Sequence, residues 1–259
     1  MSEQTGDQVV LTEERDRVLL ITINRPEARN AINKAAAEGV AAALDRLEAA
    51  DHLSIAILTG AGGNFSAGQD LKALVKGEFG VDPKRGWGGI VQKPPEKPII
   101  AAVEGYALAG GCELALACDL IIAAEGSMFG VPEVKRSLVA AAGALLRLPR
   151  RLPHGIAMEL VLTGDPIDSA RALELGLVNR VVTDGTAVDA AIVLAERISE
   201  NAPLALRASK RIIEAQYSWP EEEFWDRQGE ISGPVFASED AREGATAFAE
   251  KRKPVWKGR

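Results

Sequence analysis

Glu113 sits in Cys112-Glu113-Leu114-Ala115-Leu116-Ala117, inside a 26-residue segment, 99–124, whose charged residues are Glu104, Glu113 and Asp119. A carboxylate on so apolar a helix is costly to bury unless it is paired, protonated or turned toward a cavity. The plain alternative is a glutamate at a water-lined surface or paired with one arginine. The preceding Ala109-Gly110-Gly111 changes that balance. Glycines that open a helix let a ligand approach bare backbone N–H groups, where the helix dipole favours negative charge. Twenty residues on, Phe129-Gly130-Val131-Pro132-Glu133-Val134 places a second glutamate after a proline suited to a helix's first turn. By itself that is an acid stabilised by a dipole. A third element, Phe65-Ser66-Ala67-Gly68-Gln69-Asp70-Leu71-Lys72, reads as a glycine turn that leaves a strand and opens a short helix, with Asp70 an early-turn acid.

Composition narrows the field. The chain has 259 residues, enough for one large domain or two small ones. Thirty basic against 37 acidic residues leave a net charge of −7, and aromatics are 5%. Both features argue against a nucleic-acid partner. Cys112 and Cys118 are too few for a disulfide framework or a four-cysteine zinc site. With His52 and His154 the sole histidines, triads and histidine-rich metal centres are disfavoured. The start, MSEQTGDQVV, lacks a targeting pattern, and the apolar run 138–146 is too short to span a membrane. A cytoplasmic protein is expected. Familiar loops fail by spacing: Gly60-Ala61-Gly62 lacks the third glycine of a dinucleotide fingerprint, and Gly105 to Gly110 is followed by Gly111 where a Walker lysine belongs. Asn64-Phe65-Ser66-Ala67-Gly68 lacks the first glycine of a nucleophile elbow.

The elements that must position these residues alternate between strand and helix. Strands are predicted over 17–24, 54–60, 98–105, 120–125 and 178–182, and helices over 33–51 (capped by Asn33) and 110–119. From Pro153 the pattern turns helical: 153–162, 168–175, 185–200, 203–216, 220–230 and 238–250. The glycines, prolines and mixed charges of 77–97 predict a mobile flap beside the site. An α/β core with a helical C-terminal part follows.

FSAGQDL at 65–71, AAVEGYALAGGCELALACDL at 101–120 and FGVPEV at 129–134 together resemble the enoyl-CoA hydratase/isomerase (crotonase) superfamily, most closely its hydratases. The likeness runs from RPEARNA at 25–31 to FAEKRKPVWKG at 248–258. It implies a spiral of repeated ββα units over 1–195 and a helical oligomerisation region over 196–259 that assembles trimers or hexamers. It also implies an acyl-CoA thioester whose carbonyl oxygen is gripped by the backbone N–H groups of Gln69 and Gly110, so that the Gln69 side chain matters little. Glu133 would exchange a proton with the α-carbon, and Glu113 would activate the water that attacks the β-carbon. Such a pair supplies acid and base without histidine, metal or added cofactor, coenzyme A being part of the substrate. CoA contacts are implied at Arg25, Ala28, Ala67, Gln69, Asp70, Leu71, Lys72 and Gly110. Lys251 is similar to a lysine that reaches a neighbouring subunit's CoA, although a solvated basic tail fits it equally.

One stretch departs from the pattern. After Glu133 many hydratases carry a proline- and glycine-rich run that shapes the acyl pocket, and this chain has Ser137-Leu138-Val139-Ala140-Ala141-Ala142-Gly143, whose backbone can still donate hydrogen bonds but whose sequence does not define an acyl preference. Hydration of a 2-enoyl-CoA is the reading that both glutamates favour. The rivals are another chemistry of the superfamily, such as enoyl isomerisation or dehydration of a specialised hydroxyacyl-CoA, and a non-catalytic acyl-CoA-binding scaffold.

Overall fold

The computed structural model describes residues 8–259, so the expectation drawn from MSEQTGD lies outside the described residues. Strands β1 (Val10–Arg15) and β2 (Val18–Ile23) form a hairpin that leads to α1 (Lys34–Ala49). Helix α1 starts where the Asn33 side chain accepts from Ala36 N at 2.9 Å. There follow β3 (Ile55–Gly60), α2 (Leu71–Val75) and a small hairpin of β4 (Val81–Asp82) and β5 (Gly86–Trp87). Next come β6 (Ile99–Val103), β7 (Tyr106–Leu108), α3 (Gly110–Ala117), β8 (Leu120–Ala124), β9 (Met128–Gly130) and a 3-10 turn, Pro132–Arg136. The rest is α4 (Ala144–Arg151), α5 (His154–Thr163), β10 (Ile167–Asp168), α6 (Ser169–Glu174), β11 (Arg180–Val182), α7 (Ala187–Ser199), α8 (Pro203–Ala215), α9 (Phe224–Phe236) and α10 (Glu239–Ala249).

The large sheet runs β1-β2-β3-β6-β8-β11, antiparallel at its first pair and parallel from β2 onward. Its central strands are almost wholly apolar because both faces are covered. One face meets α1 and α3. The other carries Ile55, Ile57, Ile100 and Ile122 against Ala187, Ala191 and Ala195 of α7. A second sheet, β10-β9-β7, stands beside it. The chain lays β6 in the large sheet, β7 in the small one and α3 after them, then repeats with β8 and β9. This is the ββα spiral expected from the sequence.

The expected elements from Pro153 onward are present, with the helix expected over 220–230 displaced to Phe224–Phe236 behind a 3-10 turn at Glu221–Glu223. The strand β1 was not expected, because its Glu13, Glu14 and Arg15 are exposed at the sheet edge and hide the alternation. Helix α4 divides the apolar run 138–146, with Ala144 buried and Leu145 and Leu146 outward. Segment 77–97 is docked rather than a free flap. Buried Arg85 donates to Asp45 Oδ1 at 2.9 Å and to the Lys93 carbonyl at 2.9 Å, and Ile90 and Val91 join the core. Its glycines permit close packing: a Cβ on Gly89 would lie 2.1 Å from the Ala37 carbonyl oxygen. Helix α7 carries the core across residue 195, so the helices that leave it begin at Pro203. Neither α8 nor α9 has a buried residue.

Candidate active site

Two glycine turns are pressed together where the sheets meet. Ser66 bridges Ala107 in a parallel step and Ile32 bridges Gln69, which sets the 66–69 turn against the start of α3. The contact excludes side chains: a Cβ on Gly111 would lie 2.0 Å from the Ser66 carbonyl oxygen. Gly68 has φ +92, and a Cβ there would stand 2.9 Å from Gly110 N. Between them Ala109 takes φ 52 and ψ −129, a region that costs a non-glycine residue about 1–3 kcal/mol. It is held there by donating to the Gly130 carbonyl at 2.9 Å and accepting from Cys112 N and Glu113 N.

Two backbone donors beside one cavity are left without partners among the described residues. Gly110 is the first residue of α3, so its N–H has no partner within the helix. Neither Gly110 N nor Gln69 N donates to an acceptor among the described residues. Both residues line a cavity of about 830 Å³ together with Glu113 and Glu133.

The two carboxylates arrive from different elements. Glu113, one turn into α3, is 3% exposed. Its Oε1 accepts from Ala142 N at 2.8 Å and Ala144 N at 3.0 Å. Burial pushes its pKa up to about 7, opposed by the Ala144 N–H and assisted by the charge of Glu133. Glu133 follows Pro132 in the 3-10 turn. Its carboxyl is also raised by burial, against its own backbone N–H and the nearby Arg136 charge. Glu133 Oε2 is buried without a hydrogen-bond partner among the described residues. A buried acceptor left without a donor is uncommon, and this one belongs to a residue of the cavity lining.

Of the expected CoA contacts, Ala67, Gln69, Leu71 and Gly110 line this cavity. Asp70 caps α2, accepting from Lys72 N at 2.9 Å and Ala73 N at 3.1 Å, and pairs with Arg25 Nη2 at 2.8 Å. The Arg25 guanidinium also donates to the Ala31 carbonyl, so both residues are engaged in holding the 25–31 segment on α2. Ala28 ends the short 3-10 turn Pro26–Ala28, and Lys72 is exposed on α2. Lys251 lies just past α10, away from the cavity lining within this chain.

The sequence reading missed several contributors. Trp87 covers the start of α3: a Cβ on Gly110 would lie 2.3 Å from its ring, and its indole N–H donates to Gln69 Oε1 at 2.9 Å. The Gln69 side chain thus has a task that the main-chain donor role did not suggest. The Ala142 and Ala144 amides carried no signal, since a backbone donor is independent of residue type. Arg29 and Arg136 also border the cavity.

The spiral of ββα units around paired glycine turns defines the class of protein. Residues 13–259 match the Enoyl-CoA hydratase/isomerase family. The chain is 42% identical to enoyl-CoA hydratase EchA19 of Mycobacterium tuberculosis, with 96% of each chain covered. A crystal structure of an enoyl-CoA hydratase from Mycobacterium tuberculosis superposes with a TM-score of 0.96 at 58% identity, covering 98% of this chain and 100% of that one. That of a carnitinyl-CoA hydratase from Mycobacterium avium superposes with a TM-score of 0.79 at 48% identity, covering 98% and 100%. The chain belongs to the enoyl-CoA hydratase/isomerase family.

Proposed function

We propose that the protein is a hydro-lyase that adds water reversibly to a 2-enoyl-CoA, giving the 3-hydroxyacyl-CoA. The observation that supports the reading is that Glu113, Glu133, Gln69 and Gly110 line one cavity. The thioester carbonyl oxygen accepts from the two N–H groups, which strengthen as charge builds on that oxygen. Glu113, ionised, takes a proton from water while the water oxygen bonds to the β-carbon. The C=C electrons move to the thioester oxygen as an enolate. Glu133, protonated, then delivers its proton to the α-carbon, and the carbonyl re-forms. The pair starts and ends with one proton, exchanged from one carboxyl to the other. Two acids raised toward neutral pH suit both halves of that exchange.

The acyl group is read as uncharged and apolar. Leu74, Phe79, Val81, Leu138 and Val139 line the cavity, and its charged members besides the two glutamates are Arg29 and Arg136. A trimethylammonium-bearing acyl chain would meet two cations and no further carboxylate there. The exposed Tyr217, Trp225 and Phe236 of the α8–α9 region support a homo-oligomer, read as a trimer or hexamer. Buried thiols at Cys112 and Cys118 fit a reducing compartment such as the cytoplasm. The test is loss of the conjugated enoyl absorbance when the protein meets a short 2-enoyl-CoA. Rapid loss in wild type supports hydration. Saturable thioester binding without loss of the band would exclude it and point to isomerisation or a specialised hydroxyacyl substrate.

A further inference from the structure

Arg147 lies behind the site, on α4, and touches two separate parts of it. Its Nη1 stands over Gly143, where an added Cβ would be only 2.1 Å away. Gly143, with φ +106, is the residue between the two amides that hold Glu113. Through Nη2 the same guanidinium donates to the Val91 carbonyl at 2.6 Å. Val91 N in turn donates to the Trp87 carbonyl at 3.3 Å, in the segment whose indole covers Gly110.

We propose that Arg147 is a positioning residue for Glu113, bracing the 142–144 turn that donates to its carboxylate against the segment that walls the Gly110 N–H. The inference rests on the reading of Glu113 as the base that activates water. Planar guanidinium geometry suits the task, since one face can pack on a glycine turn while an edge donates to a carbonyl.

Electrostatics act in the same direction. The groups facing Glu113 are Glu133 from the 3-10 turn, which raises its pKa, and Arg147 from α4, which lowers it. Those facing Arg147 are Arg151 on its own helix, Glu214 of α8, Glu113 of α3 and Cys118 just past the end of α3. Behind Arg151 stands Asp119, bonded to Lys210 Nζ at 2.7 Å. Removing Arg147 takes away a cation and loosens two hydrogen bonds to the carboxylate, and both changes favour protonated Glu113.

The test compares wild type with Arg147→Met and Arg147→Lys, with Glu113→Gln as the reference that identifies the Glu113 carboxyl. The Glu113 titration is followed directly by its carboxyl infrared band, which needs no turnover, and the pH dependence of kcat/KM is recorded alongside. Arg147→Met should move the Glu113 titration and the acid limb of kcat/KM upward by about half a pH unit or more, with KM changed less than about threefold. Arg147→Lys, which keeps the charge but not the planar edge, should recover only part of the shift, and full recovery would overturn the bracing role. An unmoved Glu113 titration in a folded Arg147→Met protein would overturn the proposal, as would an equal shift in Arg147→Lys and Arg147→Met coupled to a large rise in KM. A protein that hydrates no enoyl-CoA but shows the infrared shift would contradict the functional reading while leaving the Arg147–Glu113 linkage intact.

Discussion

Glu113 and Glu133 reach one cavity from unlike surroundings. The helix that bears Glu113 is buried along its whole length, and two backbone N–H groups fix one carboxylate oxygen. The turn that bears Glu133 has no buried residue, yet one of its carboxylate oxygens is sealed from solvent and unpartnered. The two amides oppose the burial that raises the Glu113 pKa, which suits a carboxyl proposed to ionise and take a proton from water. An unpartnered oxygen suits a carboxyl whose proton passes to carbon. In the proposed mechanism, environment more than residue type divides the labour between two identical side chains.

The sharpest way to break this comparison is to remove each acid in turn. Glu133→Gln and Glu113→Gln should each lower kcat by about 10³-fold or more while substrate affinity changes little, measured by steady-state kinetics and by calorimetric titration with a non-reacting acyl-CoA. A matching collapse of binding would turn either glutamate into a structural residue. Next in size is the oxyanion pair. Gly110→Pro deletes a donor and should cost about 10²–10³-fold in kcat, whereas Gln69→Ala keeps its main-chain donor and should cost far less. Gly110→Ala separates the lost donor from the crowding of Trp87, since it crowds the ring but retains the N–H.

Stability gives a further contrast. The Glu113 carboxyl titrates near 7 when folded against 4.5 in its ordinary state, so the folded protein holds the proton more tightly. That contribution is full at low pH and is lost as pH rises from about 4.5 through 7, by about 3 kcal/mol at most. Glu113→Gln should flatten this slope in denaturant titrations run at several pH values. The smallest effect is expected away from the chemistry. Asp70→Ala removes the cap of α2 and the partner of Arg25, and should cost about 1–2 kcal/mol of stability. Burial raises the Asp70 pKa, but the Arg25 guanidinium and the helix amides outweigh it and leave the group below its usual range. Its contribution is therefore lost as pH falls, opposite in sign to that of Glu113.

The legible parts of the molecule were those in which residue type carries the information. A lone glutamate among alanines and leucines, glycines before a helix, and the apolar strands β2, β3, β6 and β8 all announce themselves. What stayed hidden depends on the backbone or on distant partners. The amides of Ala142 and Ala144 are written in no side chain. Arg85 is one of the mixed charges that read as a mobile flap, and its partner Asp45, forty residues earlier, is what docks it. Trp87 offered only an aromatic in a glycine-rich stretch, and its place over Gly110 follows from the docking of that whole segment.

The proposed division gives Glu133 the α-proton and Glu113 the water. It is tested most directly by deuterium exchange at the α-carbon of a saturated acyl-CoA in heavy water, read by mass spectrometry. The account predicts exchange with wild type and with Glu113→Gln, and none above background with Glu133→Gln. Exchange that survives in Glu133→Gln and vanishes in Glu113→Gln would contradict it.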